Sequence, residues 1–539
     1  MTYKATDTAD VSFDLTRERW LPVLRDGVAT EVSLRDALID AHRIDGLAPE
    51  VPTMLPVVLR HVLLPVVIDS HGLPASAHEW AELHAQGRLA ADTINAHLDR
   101  HNDRFDLFHP TTPFAQVAGL AKASGKLDPA QLLVQTAPVG NNVPLFAAVK
   151  DGEPLQLTPA QAARWLLHTH SWDTAGIKSG AVGDPTVKNG KGHGQPGPLG
   201  RIGPVVPAGA TLFDTLLLNI PYTPDGLPGG DAPWWRREHP DATWQEREAT
   251  GLLDLLTWQT RRIRLHPSIT ADGDVVVDQV MVAAGDRLAV RPDWDPHTGW
   301  RLDSNNEPTP AKHRADRAVW AGLSSLLALP EHEHAYPTAS PLLRQVGVLR
   351  GEEHLLADYP LRIHTCGIDY GNMQASIEHL FADQIPLPVV AMRRNTDMRA
   401  TLDHIAATTG ELESAVDKLD YALRKALGAD PSGWEAKPSL QLLTRLDQRA
   451  RHLLRLLVEH PDRTRDAEDC WDRIARAAAL DIGRQLLDRI PPSAYTAGAN
   501  HNGEVRADVL TSVQAAFYRR IDDAVALTEP IKAAGEDHR

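Results

Sequence analysis

Residues 172–203 read WDTAGIKSGAVGDPTVKNGKGHGQPGPLGRIG, and the rest of the chain is organised around them. This stretch holds nine of the chain's 37 glycines in 32 residues, and its four lysines and arginines outnumber its two aspartates. It has neither helical nor strand periodicity, whereas both of its flanks are periodic. Because glycine permits positive φ and close approach of another molecule, we predict a functional loop, with a mobile surface loop as the alternative.

Ordered elements are predicted on both sides of this loop. Upstream, Thr158 is a capping residue and Pro159 suits the first helical position, which predicts a helix that runs directly into the loop. Downstream, residues 210–221 predict a buried helix or strand, and residues 275–288 predict a strand. Nearer the amino terminus, Asp26-Gly27 between two apolar runs predicts a two-residue β-hairpin.

Length and composition limit the class of protein. At 539 residues the chain is too long for one hydrophobic core, so we expect two or more domains. With 42% hydrophobic and 23% charged residues, the composition is that of a globular protein. A net charge of −16 argues against a protein coated by nucleic acid, although it allows a local basic site.

Targeting and redox features predict a cytoplasmic protein without a membrane partner. The longest apolar run, residues 55–68, has 14 residues and contains Arg60 and His61, so we predict a buried helix instead of a membrane span. The amino terminus lacks the basic and apolar regions of a signal peptide. Two cysteines are too few for a disulfide framework or a CxxC zinc site.

The carboxyl-terminal part has a different pattern. After a proline-containing connector at 384–390, four long periodic segments follow near 396–427, 439–460, 466–490 and 505–528. Glycine or proline separates each from the next, which is typical of a four-helix bundle. The predicted fold class is therefore α+β, with a large mixed α/β domain over residues 1–383 and a four-helix bundle over residues 384–539.

Two phosphate-binding motifs within residues 172–203 fail on context. Residues 192–197 (GHGQPG) match G-x-G-x-x-G, but no predicted strand precedes them and PLG follows in place of a helix. Residues 176–180 (GIKSG) lack the spacing of a P-loop. HExxH and GxSxG are absent and the 25 histidines are scattered, so we predict no catalytic residue, metal or cofactor, and favour a recognition protein over an enzyme.

Five motifs in combination resemble one known family. They are FDLTRERWLPV (13–23), EVSLRDAL (31–38), SWDTAGIKSGAVGDP (171–185), LTWQTRRIRL (256–265) and GNMQASIEHL (371–380). Together with the predicted bundle, they make essentially the whole chain resemble the large-subunit (CasA) family of Cascade, the type I-E CRISPR surveillance complex.

The resemblance implies a non-enzymatic subunit. In this family the CRISPR RNA reads the target by base pairing, while the large subunit tests double-stranded DNA for a short adjacent motif, the PAM. The subunit also helps to start R-loop formation and recruits a helicase-nuclease in antiviral defence. The implied partners are target DNA, the end of the CRISPR RNA, other Cascade subunits and the helicase-nuclease.

By position, the resemblance also implies two DNA-binding segments. The glycine loop that approaches the minor groove corresponds to Ala175, Gly176, Lys178, Ser179 and Gly180, and backbone without side chains suits a groove about 6 Å wide. The wedge that enters below the PAM corresponds to Gln374 with its neighbours Asn372, Met373 and Ala375.

The resemblance is looser at other positions. Residues 140–146 correspond to a loop that contacts the RNA end, and Lys312 is a candidate, by rough position, for a PAM-contacting lysine. Some relatives have asparagine in place of Met373, and the four-cysteine zinc site of some relatives is impossible with Cys366 and Cys470 alone. Two other functions stay open: a metabolic enzyme with a glycine-rich active-site lid, and a scaffold that binds only protein.

Overall fold

The structure of the chain is a computed structural model. It describes residues 11–137, 155–329, 336–431, 433, 437–496 and 506–525. The chain divides into two compact units. The large unit comprises Met1–Ala315 and Ala328–Gln384, and the small unit comprises Asp316–Leu327 and Ile385–Arg539. The large unit mixes helices and sheets whereas the small unit is helical, so the predicted α+β class is confirmed. The predicted loop at 140–146 lies outside the described residues.

The large unit has short helices. They are Leu34–Ile39, Met54–Val58, Leu64–His71, Ala77–Ala85, Ala91–Arg100, Pro159–Trp172, Leu212–Leu218, Leu252–Leu256 and Pro341–Gly351. A π-helical turn, Leu59–Leu63, joins the second and third into one continuous helix. By length and composition this helix, Met54–His71, could span a membrane, but 78% of it is buried inside the protein. It is a core helix, as the sequence predicts for residues 55–68.

The first hairpin forms as the sequence predicts. Strands Leu21–Arg25 and Val28–Val32 pair in antiparallel orientation, and Gly46–Leu47 adds a third strand. Asp26 and Gly27 have φ of 51° and 73°, the left-handed values that a two-residue hairpin requires.

A five-stranded sheet contains the glycine-rich stretch. Its longest strands, Arg261–Ile269 and Val275–Ala284, pair in antiparallel orientation, and Asp128–Pro129 also pairs with Val275–Ala284. On the same edge as Asp128–Pro129, opposite Arg261–Ile269, Gly176–Ser179 pairs in parallel with Val275–Ala284, and it pairs in antiparallel with Lys191–Gly194. We call these last two the glycine strands. The prediction of a loop without regular structure is wrong for them, because pairing onto a preformed sheet outweighs glycine's poor strand propensity.

A three-stranded sheet carries the second predicted segment. Its strands are Val205–Ala208, Arg362–Tyr370 and Ile377–Pro386, with Arg362–Tyr370 in the middle. Residues 371–376 form the turn between the last two strands, and we call them the Gln374 turn. Two short pairs complete the strands of the described residues: Glu246–Arg247 with Arg287–Leu288, and Trp300–Leu302 with Pro308–Pro310.

The small unit contains the four predicted long helices. They are Asp397–Leu427, Pro438–Glu459, Thr464–Asp488 and Arg506–Ala524, accompanied by short helices at Leu323–Leu326 and Ser493–Thr496. The apolar side chains of the first long helix are buried at its helical repeat, for example Leu402, Leu412 and Leu419. The inclusion of Asp316–Leu327 in this unit is not foreseen by the sequence pattern.

Candidate nucleic-acid interface

The structure brings the two predicted DNA-binding segments together. The Ala175 backbone N–H donates a hydrogen bond of 2.9 Å to the Gln374 carbonyl oxygen, although nearly two hundred residues separate them. Ala175 immediately precedes the first glycine strand, and Gln374 lies in the turn between two strands of another sheet. The two segments therefore form one surface, and they cannot move independently without breaking this bond.

The Gln374 turn holds two adjacent residues in the left-handed region. Met373 has φ of 54° and Gln374 has φ of 58°. This conformation costs roughly 1–2 kcal/mol for each residue with a Cβ atom. The turn is closed by hydrogen bonds from Gly371 N–H to Ser376 O (3.0 Å) and from Gln374 N–H to Gly371 O (2.9 Å). Such strain at exposed side chains, with Met373 84% exposed, is typical of functional sites.

Gly176 and Gly180, at the two ends of residues 176–180, require glycine for different physical reasons. Gly176 has φ of +113°, and a Cβ atom at this position would meet nothing within 4 Å. It therefore needs glycine for its conformation and presents open backbone to another molecule. Gly180 is buried, and its Cβ would lie 2.6 Å from a methyl group of Val187 and 2.8 Å from the Gly190 backbone. Gly180 is required for internal packing.

A buried ion-pair cluster sets the position of the glycine strands. Asp173 follows the helix Pro159–Trp172, and its carboxylate pairs with the Lys178 ammonium at 2.7 Å and the Arg261 guanidinium at 2.5 Å. Burial acts to raise the pKa of Asp173, but Lys178 and Arg261 together lower it to about 2. The Asp173 carboxylate is therefore ionised at every physiological pH.

Lys178 serves as an internal counter-ion in this cluster. Only 11% of its side chain is exposed, and burial lowers its pKa from the ordinary value. Ser179 is also half-buried, with its hydroxyl 3.4 Å from the Asp128 carboxylate. Contacts of Lys178 and Ser179 with DNA stay predictions, and the accessible parts of this segment are the Gly176 backbone and the Ile177 side chain.

Arg261 ties both glycine strands to the cluster. Its side chain is fully buried and donates to the carbonyl oxygens of Thr174 (2.8 Å) and Gln195 (2.7 Å). Gly194 makes room for it, since a Cβ there would lie 3.0 Å from the guanidinium group. Arg261 lies within the LTWQTRRIRL motif, but its role depends on long-range contacts that the sequence does not reveal.

Tyr370 joins the Gln374 turn to the helix that precedes the glycine strands. Its hydroxyl donates a 2.6 Å hydrogen bond to the carbonyl oxygen of Trp172, the last helical residue. Burial raises the pKa of Tyr370 far above its ordinary value, so the hydroxyl keeps its proton. The same hydroxyl would clash, at 2.2 Å, with a Cβ on Gly200. The packing of the second half of 172–203 thus supports the Gln374 turn.

The rejected G-x-G-x-x-G motif has a structural explanation. Its first three residues lie inside the glycine strand Lys191–Gly194, and only a short 3₁₀ turn, Pro198–Arg201, follows. A Cβ on Gly197 would lie 2.1 Å from the Ser171 carbonyl oxygen. The motif lacks the strand-then-helix order of a dinucleotide site. Because its strand is paired and clamped, it also gives no support to the alternative of a glycine-rich lid.

Two further residues accompany the predicted site. Ile177 projects from the first glycine strand with 59% of its surface exposed, opposite the exposed His193 on the second. Ile177 is not among the DNA-binding residues predicted from the sequence, although it lies between two of them, Gly176 and Lys178. An exposed apolar side chain next to open backbone can contact sugar or base edges.

Lys312 belongs to a basic cluster with Arg201 and Arg291. The Lys312 ammonium donates to the Gly200 carbonyl oxygen at 3.1 Å, and the Arg291 guanidinium donates to the Arg201 carbonyl oxygen at 3.1 Å. Burial, Arg291 and Arg201 together lower the pKa of Lys312 from its ordinary value. Asp369 acts in the opposite direction on the pKa of Lys312, so a carboxylate offsets part of the positive charge that the cluster offers to an anion such as phosphate. The two arginines were not predicted from the sequence.

The fold and this surface define a class of protein. It is a two-unit α+β protein whose candidate site consists of open backbone, a strained turn that presents an amide and a thioether, and nearby basic side chains. Groups of these kinds are suited to contact with a macromolecule.

Comparison with known proteins names the family. The sequence model of the family described as CRISPR-associated protein Cse1 matches residues 14–482, and the chain belongs to this family. The CasA/Cse1 protein of Thermus thermophilus is 29% identical over 488 residues, which are 88% of this chain and 90% of that protein. The resemblance inferred from the five motifs is therefore confirmed.

Solved structures agree with this assignment. The crystal structure of Thermobifida fusca Cse1 has a TM-score of 0.83 and 32% identity, and the match covers 96% of this chain and 99% of that one. A chain of a CRISPR RNA-guided surveillance complex has a TM-score of 0.71 at 22% identity, covering 94% and 99% of the two chains, and shares the fold.

Proposed function

We propose that this chain is the non-catalytic large subunit of a type I-E Cascade complex acting in cytoplasmic antiviral defence. In this role it recognises the PAM of double-stranded DNA from the minor groove and helps to initiate unwinding, so that the CRISPR RNA can pair and form the R-loop. It then recruits the helicase-nuclease. Membership in the Cse1 family supports this role, as does the fold shared with a chain of an RNA-guided surveillance complex.

The observation that carries the proposal is the hydrogen bond between Ala175 N–H and Gln374 O. This bond joins the open backbone around Gly176 to the strained, exposed Gln374 turn. A DNA duplex that contacts one of these segments therefore lies next to the other. Gly176 offers backbone to a groove about 6 Å wide whose hydrogen-bonding code is degenerate, which suits a reader that tolerates several PAM sequences.

The Gln374 turn supports the unwinding step. Inserting side chains between base steps costs a few kcal/mol of stacking and opens the duplex locally. Gln374, Met373 and Asn372 are all exposed, and their turn is closed at its base by hydrogen bonds. Such a turn can enter a duplex without first losing conformational entropy.

Electrostatics supports a division of labour within the complex. The net charge of −16 opposes binding of DNA by the isolated chain, while Arg201, Arg291 and Lys312 provide a local site for phosphate. Binding by the isolated chain is therefore weak and sensitive to salt. Other Cascade subunits and the CRISPR RNA supply the remaining affinity.

The test is Gln374→Ala in the assembled complex. We expect loss of PAM-dependent duplex binding and of local strand opening, measured by fluorescence anisotropy and by a 2-aminopurine probe beside the PAM. The control is Gln448→Ala, which removes an exposed glutamine from the bundle helix Pro438–Glu459. Unchanged affinity and unchanged opening in the Gln374 variant would show that this surface does not read the PAM.

A further inference from the structure

Asp69, His97 and His101 form a cluster separate from the candidate interface. Asp69 lies near the end of the helix Met54–His71, His97 lies on the helix Ala91–Arg100, and His101 caps that second helix one turn later. One possible ligand atom from each residue lies within 4.8 Å of those of the other two. We propose that these three side chains bind a divalent transition-metal ion of the zinc class.

The distances suit a tetrahedral ion better than a hydrogen bond. The His97 Nε2 and Asp69 Oδ2 atoms are 3.5 Å apart, which is long for a hydrogen bond. Two ligand atoms at ordinary zinc distances, separated by a tetrahedral angle, lie about 3.3–3.5 Å apart. An ion between Asp69 and His97 needs no movement of this pair, and a small movement of His101 supplies the third ligand.

The His97 side chain places a polar atom in a buried position next to Asp69. Its Nε2 atom is buried with no hydrogen-bond partner, and only 6% of the side chain is exposed. A buried polar atom without a partner costs about 1–3 kcal/mol, so such atoms are rare in folded proteins. This atom lies 3.5 Å from the Asp69 carboxylate, and the centroids of the His97 and His101 rings are 5.0 Å apart. A metal ion would bind all three groups.

Outer contacts orient the Asp69 carboxylate. Its Oδ2 atom accepts a 3.0 Å hydrogen bond from the Trp235 indole, and its Oδ1 atom pairs with the Arg236 guanidinium at 2.5 Å. Around metal sites, hydrogen bonds from neighbouring side chains commonly hold a ligating carboxylate in its orientation. The Arg236 charge opposes a cation. Arg236→Gln removes that charge but keeps an N–H donor for Asp69, so this variant should bind metal more tightly.

The sequence contains only part of the pattern that indicates this metal site, the spacing of His97 and His101. Two histidines four residues apart lie on one face of a helix, which is a frequent arrangement of metal ligands. Asp69 comes from a different helix, so the sequence alone predicts no metal site. The ion would link the two helices to the segment that contains Trp235, and its role would be structural.

The experiment is titration of the full-length, chelator-treated chain with Co²⁺, which absorbs strongly in the visible range when tetrahedrally coordinated. We expect one ion per chain, and displacement of Co²⁺ by Zn²⁺ with a rise in melting temperature. His101→Ala, at the accessible edge of the cluster, should weaken binding about tenfold or more. Arg236→Gln should strengthen it. The control, His452→Ala, removes an exposed histidine from the other unit and should change nothing.

Two outcomes would overturn the proposal. One is the absence of a stoichiometric visible band in the unaltered chain. The other is a band that persists with equal affinity in both His101→Ala and His97→Gln. If His97→Gln fails to fold, the paired responses of His101→Ala and Arg236→Gln still decide the question, because a hydrogen-bonded cluster without metal predicts no change in Co²⁺ affinity for either.

Discussion

Asp173 shows how one carboxylate connects chemistry to architecture. It is the first residue after the helix Pro159–Trp172, and it holds both Lys178 and Arg261. Truncating one member of a buried ion cluster leaves uncompensated charge, which typically costs about 3–5 kcal/mol. Asp173→Asn should therefore destabilise the large unit and displace the glycine strands.

The penalty of Asp173→Asn should depend on pH. The folded pKa of Asp173 is about 2, below the ordinary 3.8, so its stabilising contribution is complete above about pH 4. That contribution is lost as the pH falls toward 2, so the difference in unfolding free energy between native and variant chains should shrink by about 2 kcal/mol.

Urea unfolding of both chains at several pH values measures this difference. Asp272→Asn, which changes an exposed carboxylate in a turn, is the control and should show a flat difference. A penalty for Asp173→Asn that stays constant from pH 5 to pH 2 would contradict the assigned ion pairs.

The residues of the site differ in how far the sequence predicts them. Gln374 is an ordinary exposed glutamine by pattern, and only the family resemblance identified it. Composition singled out the stretch 172–203, and the family resemblance identified Gly176 within it, yet the positive φ of Gly176 depends on the sheet that follows it. Arg261 and Tyr370 were missed as site residues because their contacts join segments that are distant in sequence.

At the scale of elements, one hydroxyl links the Gln374 turn to the preceding helix. Tyr370→Phe removes the donor to the Trp172 carbonyl oxygen while keeping the ring, and should cost about 1–2 kcal/mol. We expect faster hydrogen exchange at 371–376 and at Ala175, and weaker strand opening by the complex. Tyr421→Phe, at an exposed position on a bundle helix, is the control. Equal exchange in both variants would exclude Tyr370 as a support of the turn.

Helix packing in the bundle gives a pair of opposite predictions. A Cβ on Gly483 would lie 2.3 Å from the buried Phe517 ring, whereas a Cβ on the exposed Gly410 would meet nothing within 4 Å. Gly483→Ala should destabilise by about 1–3 kcal/mol through overpacking. Gly410→Ala should stabilise by about 1 kcal/mol through helix propensity.

Urea unfolding followed by circular dichroism measures both effects. Phe517→Leu in the Gly483→Ala chain should recover part of the loss, because it relieves the contact. If Gly410→Ala and Gly483→Ala destabilise the chain equally, the predicted gain in helix propensity at Gly410 and the predicted overpacking at Gly483 are both contradicted.

At the scale of the whole molecule, local patterns predicted local structure well. The four long helices follow from apolar periodicity and helix breakers, which act within a few turns. The glycine strands were missed because their pairing with Val275–Ala284 is a long-range property. The contribution of Asp316–Leu327 to the small unit was missed for the same reason: its hydrogen-bond partners in the long helices lie 72 to 127 residues onward.

That segment is anchored in the small unit by Trp320. Its side chain is 1% exposed, its indole donates to Asp447 at 2.9 Å, and its ring lies 5.4 Å from Trp471 at a steep angle. Nearby, Arg317 holds both carboxylate oxygens of Glu413, at 2.6 and 2.9 Å. The four long helices alone are therefore an incomplete unit, and part of their core comes from residues that precede them by about seventy positions.

Trp320→Ala should loosen the bundle selectively. Removing a fully buried tryptophan typically costs about 3–5 kcal/mol, and here it also leaves Asp447 without its indole partner. Hydrogen exchange of the full chain should accelerate in the helices Asp397–Leu427, Pro438–Glu459 and Thr464–Asp488. It should stay unchanged in the strands Arg261–Ile269 and Val275–Ala284.

Trp294→Ala, at a position that is 44% exposed, is the control and should leave hydrogen exchange in both regions unchanged. Acceleration spread evenly over bundle and sheet would mean that Trp320 supports the whole chain, and the division into two units would then fail as a description of its stability.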